Sequence, residues 1–387
     1  MLYVSAREYG IRALKTLISR FRLTACRPAA VLAPVMLIVA TSGVLMGCDL
    51  VEMATGGRSE ADTKKAEATA FVVDAEATIE ASSKLIEQEP ADVDALLRRG
   101  NARLSLDRLE EALADYELAI AQDPKNAAAY NNRGVVYSRL GRPAEAGNDY
   151  EKAVELDPSL AEPFYNRAID LDNAVQLKLA ISAYTIAINR DPSLLSAYNN
   201  RGAMYIDQGR LNYALDDLNQ AIDSDPSFAR AYNNRGAIFL RQGKLDEAVD
   251  AFEQAIELDS TLSIAHRNLG LVHRDMDEFE KAIDRLDIAV EVDPELAEAF
   301  LDRGIAYEEL GKDELAIADY SRAIELNPRY SRALYRRALI YRRHDNWAGA
   351  NADYERAFEL NRRIAIIGEP VEAASVARES WKLIERE

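Results

Sequence analysis

Few residues in this chain are equipped for chemistry. Among 387 residues there are three histidines and two cysteines. His266 and His273 are seven apart, so they share one helix face, as a pair of metal ligands could. Both stand at slots that hold Tyr or Phe elsewhere in the chain, and they read as packing substitutes. His344 lies in a turn-like stretch, Arg343-His344-Asp345-Asn346. There is no Gly-rich phosphate loop, no CxxC, no HExxH and no GxSxG. The chain is therefore expected to be neither an enzyme nor the holder of a metal or cofactor.

The polar residue that recurs is asparagine. Asn132, Asn166, Asn200, Asn234 and Asn268 fall at one slot, Asp302 continues the series and Arg336 ends it. Asn131, Asn199 and Asn233 occupy the slot just before. Asparagine is a mediocre helix former, so repetition at one helical slot asks for a use. A side-chain amide carries two donors and an acceptor, and a row of them can bond the backbone of an extended peptide without reading its sequence. The alternative is a structural asparagine that bonds the preceding helix or a neighbouring backbone group. An arginine also recurs, at Arg133, Arg167, Arg201, Arg235 and Arg303, and is expected to form ion pairs between repeats. The many carboxylates fall mostly at helix positions expected to be solvated. Near the C-terminus, Arg332, Arg336 and Arg343 share a helix face. They could contact an acidic segment, a lipid headgroup or a glycan polymer, or else pair within the chain.

The elements that position these residues repeat every 34 positions. Proline falls at Pro90, Pro124, Pro158, Pro192, Pro226, Pro294 and Pro328, with Ser260 as the break. Alanine runs unbroken from Ala112 to Ala350 and, in a second series, from Ala119 to Ala357. A fixed period over this length marks a stacked array. In residues 127–160 the pattern predicts one helix from about Ala128 to Leu140, stopped at Gly141-Arg142-Pro143, and a second from about Ala144 to Leu156, stopped at Asp157-Pro158. Gly134 and its equivalents Gly100, Gly202, Gly236, Gly270 and Gly304 sit mid-helix. Glycine there costs about 1 kcal/mol against alanine, which close approach of the neighbouring helix would offset.

Tyr198-x3-Gly202-x2-Tyr205, Ala214-x3-Leu218 and Pro226 resemble the signature of the tetratricopeptide repeat (TPR) family. The resemblance covers eight units, 93–126, 127–160, 161–194, 195–228, 229–262, 263–296, 297–330 and 331–364. It departs locally: Ala168 and Ala338 replace the glycine, Asp170 enters a first helix, and Ser260 replaces a proline. The family implies an all-α fold, a right-handed α-α superhelix (TPR solenoid) whose first helices line a concave groove for extended protein segments. The asparagine series resembles the ladder in the TPR superhelix of O-GlcNAc transferase. A carboxylate clamp, as in chaperone cochaperones, fits poorly: Asn101 and Asn132 match, but Leu97 stands where its lysine belongs.

The net charge of −18 argues against nucleic acid as a partner. The N-terminus departs from the rest. Arg7, Arg12, Lys15, Arg20, Arg22 and Arg27 precede an uncharged run from Ala29 to Gly47, which ends at Leu45-Met46-Gly47-Cys48. Basic flank, apolar core and small residue before a cut describe a secretory signal over 1–47. Its ending resembles the lipobox of bacterial lipoproteins, which implies cleavage before Cys48 and lipidation of that residue. Cys26 would leave with the signal, so no intrachain disulfide is expected. A flexible tether is expected over 48–66, a capping helix within 67–92, the repeats over 93–364 and a second capping helix within 365–387. The resemblances together imply a lipid-anchored scaffold of a bacterial envelope with its body in the periplasm. Asp49 follows Cys48, as in an inner-membrane retention signal, but the choice of inner or outer membrane stays open, as do oligomeric state and partner identity. The alternative is a regulatory TPR subunit of a larger enzyme system, such as a glycosyltransferase, protease or cell-wall hydrolase. Metabolic labelling with a palmitate analogue is expected to mark the protein and to fail in Cys48→Ser; label retained by that variant would remove the lipid anchor.

Overall fold

The computed structural model describes residues 60–360. They form helices joined by short turns, with no strand among the described residues. Cys48, the signal, most of the expected tether and the C-terminal capping segment lie outside the described residues. The first helix, α1 (Glu60–Gln88), begins before the expected cap and takes in the end of the expected tether. Helix pairs then follow in the predicted register. They are α2 (Val93–Ser105) with α3 (Leu109–Gln122), α4 (Ala127–Arg139) with α5 (Pro143–Leu156), α6 (Glu162–Asn173) with α7 (Leu177–Arg190), and α8 (Leu195–Asp207) with α9 (Leu211–Ser224). The remaining pairs are α10 (Ala229–Arg241) with α11 (Leu245–Leu258), α12 (Ser263–Asp275) with α13 (Phe279–Val292), α14 (Ala297–Glu309) with α15 (Asp313–Leu326), and α16 (Ser331–Arg343) with α17 (Trp347–Leu360). This is an all-α TPR solenoid. Pro143 opens α5 at its first turn, where the missing N–H would have no intrahelical partner anyway.

The chain divides into two compact units, one ending at Ala197 and one beginning at Tyr198. Within each, a helix packs against the next in sequence. First helices also touch first helices of the adjacent repeat, α4 with α2 and α6 in the first unit, α12 with α10 and α14 in the second. First helices therefore form the inner layer of each unit. No described helix is long and apolar enough to cross a membrane.

The mid-helix glycines sit where the two helices of a repeat cross. A Cβ at Gly134 would lie 2.6 Å from the Tyr150 ring, one at Gly304 2.6 Å from Tyr320, and one at Gly236 2.7 Å from Phe252. The aromatic side chains fill the space a methyl group would take, and Tyr116, Phe252 and Tyr320 are fully buried. The two alanine series are buried beside them throughout.

The turns are equally regular. After each second helix, an Asp or Asn accepts the backbone N–H two residues on, as in Asp157 with Ser159 (2.9 Å), Asp225 with Ser227 (2.9 Å) and Asn327 with Arg329 (3.1 Å). Asp259 does the same with Thr261 at 3.0 Å, so Ser260 in the proline slot leaves this turn intact. Between the helices of a repeat, one residue takes a positive φ: Asp107, Gly141, Val175, Gly209, Gly243, Asp277, Gly311 and Asp345. A β-branched residue is strained in this conformation. Val175 (φ 59°) is also 76% exposed, so packing offsets none of that strain.

Two substitutions test this account by thermal unfolding. Gly304→Ala should lower stability by about 1–2 kcal/mol, because overpacking against Tyr320 outweighs the gain in helix propensity. Val175→Gly should raise stability by about 1 kcal/mol through relief of backbone strain.

Candidate functional site

The polar rows predicted from sequence lie on the first helices, and most of their hydrogen bonds are made to one another. Asn234 Nδ2 donates to Asn199 Oδ1 of the preceding repeat (2.8 Å), and Asn268 Nδ2 donates to Asn233 Oδ1 (3.0 Å). Within a repeat, Asn233 Nδ2 donates to Asn234 Oδ1 (3.1 Å) and Asn199 Nδ2 to Asn200 Oδ1 (3.3 Å). The second unit thus holds one continuous chain of amides running from Asn268 back to Asn200. In the first unit Asn166 donates to Asn131 (3.0 Å), Asn131 to Asn132 (3.1 Å), and Asn132 to Asn101 (3.0 Å). Asn200, Asn234 and Asn268 are buried, and Asn268 has no exposed surface. Asn132 and Asn166 are half-buried and keep a face toward solvent. A buried amide without a partner is costly, and mutual pairing satisfies the row.

Where asparagine runs out, the same connection is made by charge. Arg267 stands in the first slot of the pair and Asp302 in the second slot of the next repeat. Arg267 Nε donates to Asp302 Oδ2 at 2.6 Å, with both residues buried.

The arginine row differs from the expectation of pairs between repeats. Its main ion pair closes within a repeat, from the first helix to an Asp sixteen residues on. Arg133 meets Asp149 through Nε (2.7 Å) and Nη2 (2.8 Å). Arg201 meets Asp217 (2.8 and 2.6 Å), Arg303 meets Asp319 (2.8 and 2.6 Å), and Arg337 meets Asp353 (2.6 and 2.8 Å) in the same two-pronged way. Arg99 and Asp115 form the equivalent pair at 2.6 Å. Only a secondary contact reaches the preceding repeat, as from Arg303 Nη1 to Asp287 (2.7 Å). The expectation that carboxylates are simply solvated fails for this set: Asp115, Asp149, Asp217, Asp319 and Asp353 are all buried. Their 34-residue spacing was available in the sequence, at a constant offset from the arginines. Burial works against the charge on Arg303, yet Asp319 and Asp287 outweigh it and hold the guanidinium above its ordinary pKa.

Aromatic rings flank the arginines. The Arg133 guanidinium lies 5.5 Å from the Tyr130 ring and 5.6 Å from Tyr137, and Arg303 lies 5.5 Å from Phe300 and 5.9 Å from Tyr307. Each such helix presents a cation held between two rings, a polar and apolar surface in one strip.

The histidines do not come together as a ligand set with a third group among the described residues. His266 Nε2 lies 3.0 Å from the Ser260 carbonyl, and His273 Nδ1 lies 2.8 Å from Glu278 Oε2. The basic face of α16 is partly spent within the chain. Arg336 pairs with Glu308 (3.4 Å), and Arg343 with Glu308 (3.3 Å) and Asp313 (2.9 Å). Arg332 is exposed. Tyr320, buried and bonded to Glu308 at 2.7 Å, has its hydroxyl pKa pushed up by burial first and by Glu308 second.

Paired first and second helices, stacked inner helices and rows at one-repeat spacing define a helical-repeat protein with a built inner face. Models of the tetratricopeptide repeat match residues 127–160, 229–262 and 297–330, a TPR repeat model matches 100–141 and 202–243, and a further tetratricopeptide repeat model matches 314–364. The chain belongs to the tetratricopeptide repeat family, whose repeats are protein-binding scaffolds. Among solved structures it is similar to a chain of the APC/C hetero-tetramer Cut9-Hcn1 (TM-score 0.56, 18% identity, covering 72% of this chain and 52% of that one). It therefore spans about half the length of that chain. It is also similar to a tetratricopeptide repeat protein from Parabacteroides merdae ATCC 43184 (TM-score 0.51, 17% identity, 69% and 98% covered) and to human IFIT1, solved as a dimer with PPP-AAAA (TM-score 0.50, 19% identity, 69% and 72% covered). At these identities the likeness concerns the fold. No curated protein matches the chain.

The Arg–Asp pairs can be weighed by a double-mutant cycle in urea. Asp149→Ala should cost about 3 kcal/mol by leaving Arg133 without its counter-charge in a partly buried site, whereas Arg133→Met with Asp149→Leu should cost less than about 1 kcal/mol. Equal losses for single and double variants would show that packing, not charge, dominates there.

Proposed function

We propose that this protein is a scaffold that holds extended segments of other proteins along its first-helix face, tethered to a bacterial envelope membrane through a lipid on Cys48. The observation that carries the binding reading is the recurrence of one surface strip on the inner helices of three repeats, an arginine flanked by two aromatic rings, at Arg133 and Arg201 beside an asparagine and at Arg303 beside Asp302. A strip that recurs at the same slot of several repeats suits a ligand that is itself extended.

The buried asparagines Asn200, Asn234 and Asn268 set the stacking of repeats, because their amides are engaged with one another or carry no exposed surface. Asn132 and Asn166 keep exposed surface and remain the members of the row that a bound backbone can reach. Of the basic trio, Arg332 is the exposed member and the one suited to an anionic contact from outside; Arg336 and Arg343 are engaged with Glu308 and Asp313. The lipid anchor rests on the sequence around Cys48, and its tether would place the repeats at the membrane surface while leaving the inner helices free to bind.

A photo-crosslinking residue placed at Asn132, on the inner helix α4, should capture a partner in cells, and the same residue at Glu151, exposed on α5, should capture it several-fold less. Equal capture at both positions, or capture at Glu151 alone, would overturn binding through the first-helix face.

A further inference from the structure

Two repeats keep the arginine of the row and lack its aspartate. In residues 161–194 the slot opposite Arg167 holds Ala183, and in residues 229–262 the slot opposite Arg235 holds Ala251. The two arginines differ in setting. Arg167 is exposed and meets water directly. Arg235 is half-buried, its guanidinium lies 4.9 Å from the Tyr232 ring, and its Nε is buried without a hydrogen-bond partner among the described residues. Ala251, 3% exposed, supplies nothing to accept from it. A guanidinium carries five N–H donors in a fixed fork that matches a carboxylate, and a buried donor left unmade is costly. The surrounding helix has no acidic residue to compensate: α10 carries Arg230, Arg235 and Arg241 and neither Asp nor Glu. Arg241 is engaged with the Ile206 carbonyl at 2.6 Å. Arg230 also has an interaction of its own.

We infer that Arg235 is the anchor for an Asp or Glu side chain of the bound protein segment, with the ligand's carboxylate serving its guanidinium as Asp217 serves Arg201 and Asp319 serves Arg303. Those two pairs show how a carboxylate meets a guanidinium of this row, one oxygen on Nε at 2.8 Å and the other on Nη2 at 2.6 Å; at Arg235, whose Nε is covered, the incoming carboxylate meets the outer nitrogens. The Tyr232 ring holds the guanidinium against the helix, so part of the ordering cost is met before the ligand arrives. The proposal rests on the scaffold reading and adds to it the chemistry of one contact: the segment bound at residues 229–262 carries an acidic residue, although the protein as a whole has a net charge of −18.

The test uses the whole protein labelled with nitrogen-15 at arginine Nε. The probes are an acetylated, amidated tetraglutamate peptide and its tetraglutamine counterpart. The Arg235 Nε–H signal should shift saturably with tetraglutamate and stay still with tetraglutamine, while the signals of Arg133 and Arg303, already paired, stay still with both. Ala251→Asp, which places the missing carboxylate within the chain, should move the Arg235 signal toward those of Arg201 and Arg303 without any peptide and should abolish the titration. Arg235→Gln should weaken tetraglutamate binding by about tenfold or more, with circular dichroism confirming the fold. An Arg235 signal that ignores tetraglutamate, or that moves only in step with exposed Arg332, would overturn the proposal. So would an Ala251→Asp variant in which the Arg235 signal is unchanged. Photo-crosslinking at Asn132 that persists undiminished in Arg235→Gln, together with a silent titration, would remove the acidic anchor and leave the scaffold reading standing.

Discussion

The close crossing of the two helices in each repeat is the constraint from which the rest follows. At the glycine slot the gap between the helices is filled by a side chain sixteen residues later, Tyr116 on Gly100, Phe252 on Gly236, Tyr320 on Gly304, which leaves no room there for a Cβ, while the slots of Ala168 and Ala338 admit one. The same offset governs the arginine one position earlier, since Arg99, Arg133, Arg201, Arg303 and Arg337 each reach an aspartate sixteen residues on. One crossing point therefore fixes both an apolar plug and, beside it, a two-pronged ion pair. Burial of the plug supplies stability, and the ion pair, whose net worth is small once desolvation is counted, fixes the relative rotation of the helices. Arg133, Arg201 and Arg303, tied down in this way, present their remaining surface between two flanking rings.

A second offset joins repeat to repeat. Asn166 reaches Asn131, Asn234 reaches Asn199, and Asn268 reaches Asn233, each across thirty-five residues. Arg267 reaches Asp302 across the same thirty-five. The residue types change while the connection persists, which indicates that the link between inner helices is what the position demands. Buried amides linked in series polarise one another, and each is satisfied only if the next repeat is stacked in register. The amide row thus holds the inner helices of neighbouring repeats together.

The helices, their pairing and their turns were legible in the sequence because each rests on residues that recur at a fixed spacing. The helix ends fell within one residue of expectation in 127–160, with Pro143 beginning α5 rather than only following α4. The glycine slot was legible for the same reason, since a mid-helix glycine is costly unless something comes close. The role of the polar rows was less so. A carboxylate in an acidic chain reads as solvated, and nothing about Asp149 or Asp319 alone marks it as buried. What marks them is their constant distance from an arginine, a relation between two rows rather than a property of either. The asparagines were open to two readings, because an amide bonds a peptide or another amide equally well; only the distance between inner helices decides which partner is within reach.

The amide chain also has a direction. From Asn268 back to Asn200 every link between repeats donates toward the N-terminus, whereas Arg267 donates toward the C-terminus, to Asp302. The repeat 263–296 is therefore the point at which the sense of the chain reverses, with a donor facing outward on both sides. Repeat 229–262 shows an acceptor to one neighbour and a donor to the other, like a link that fits a copy of itself. Repeat 263–296 does not, and its copy set after it would bring Arg267 against an asparagine amide instead of a carboxylate. By this property one repeat is a unit that duplication can multiply, and the other is a fixed junction that duplication would leave mismatched.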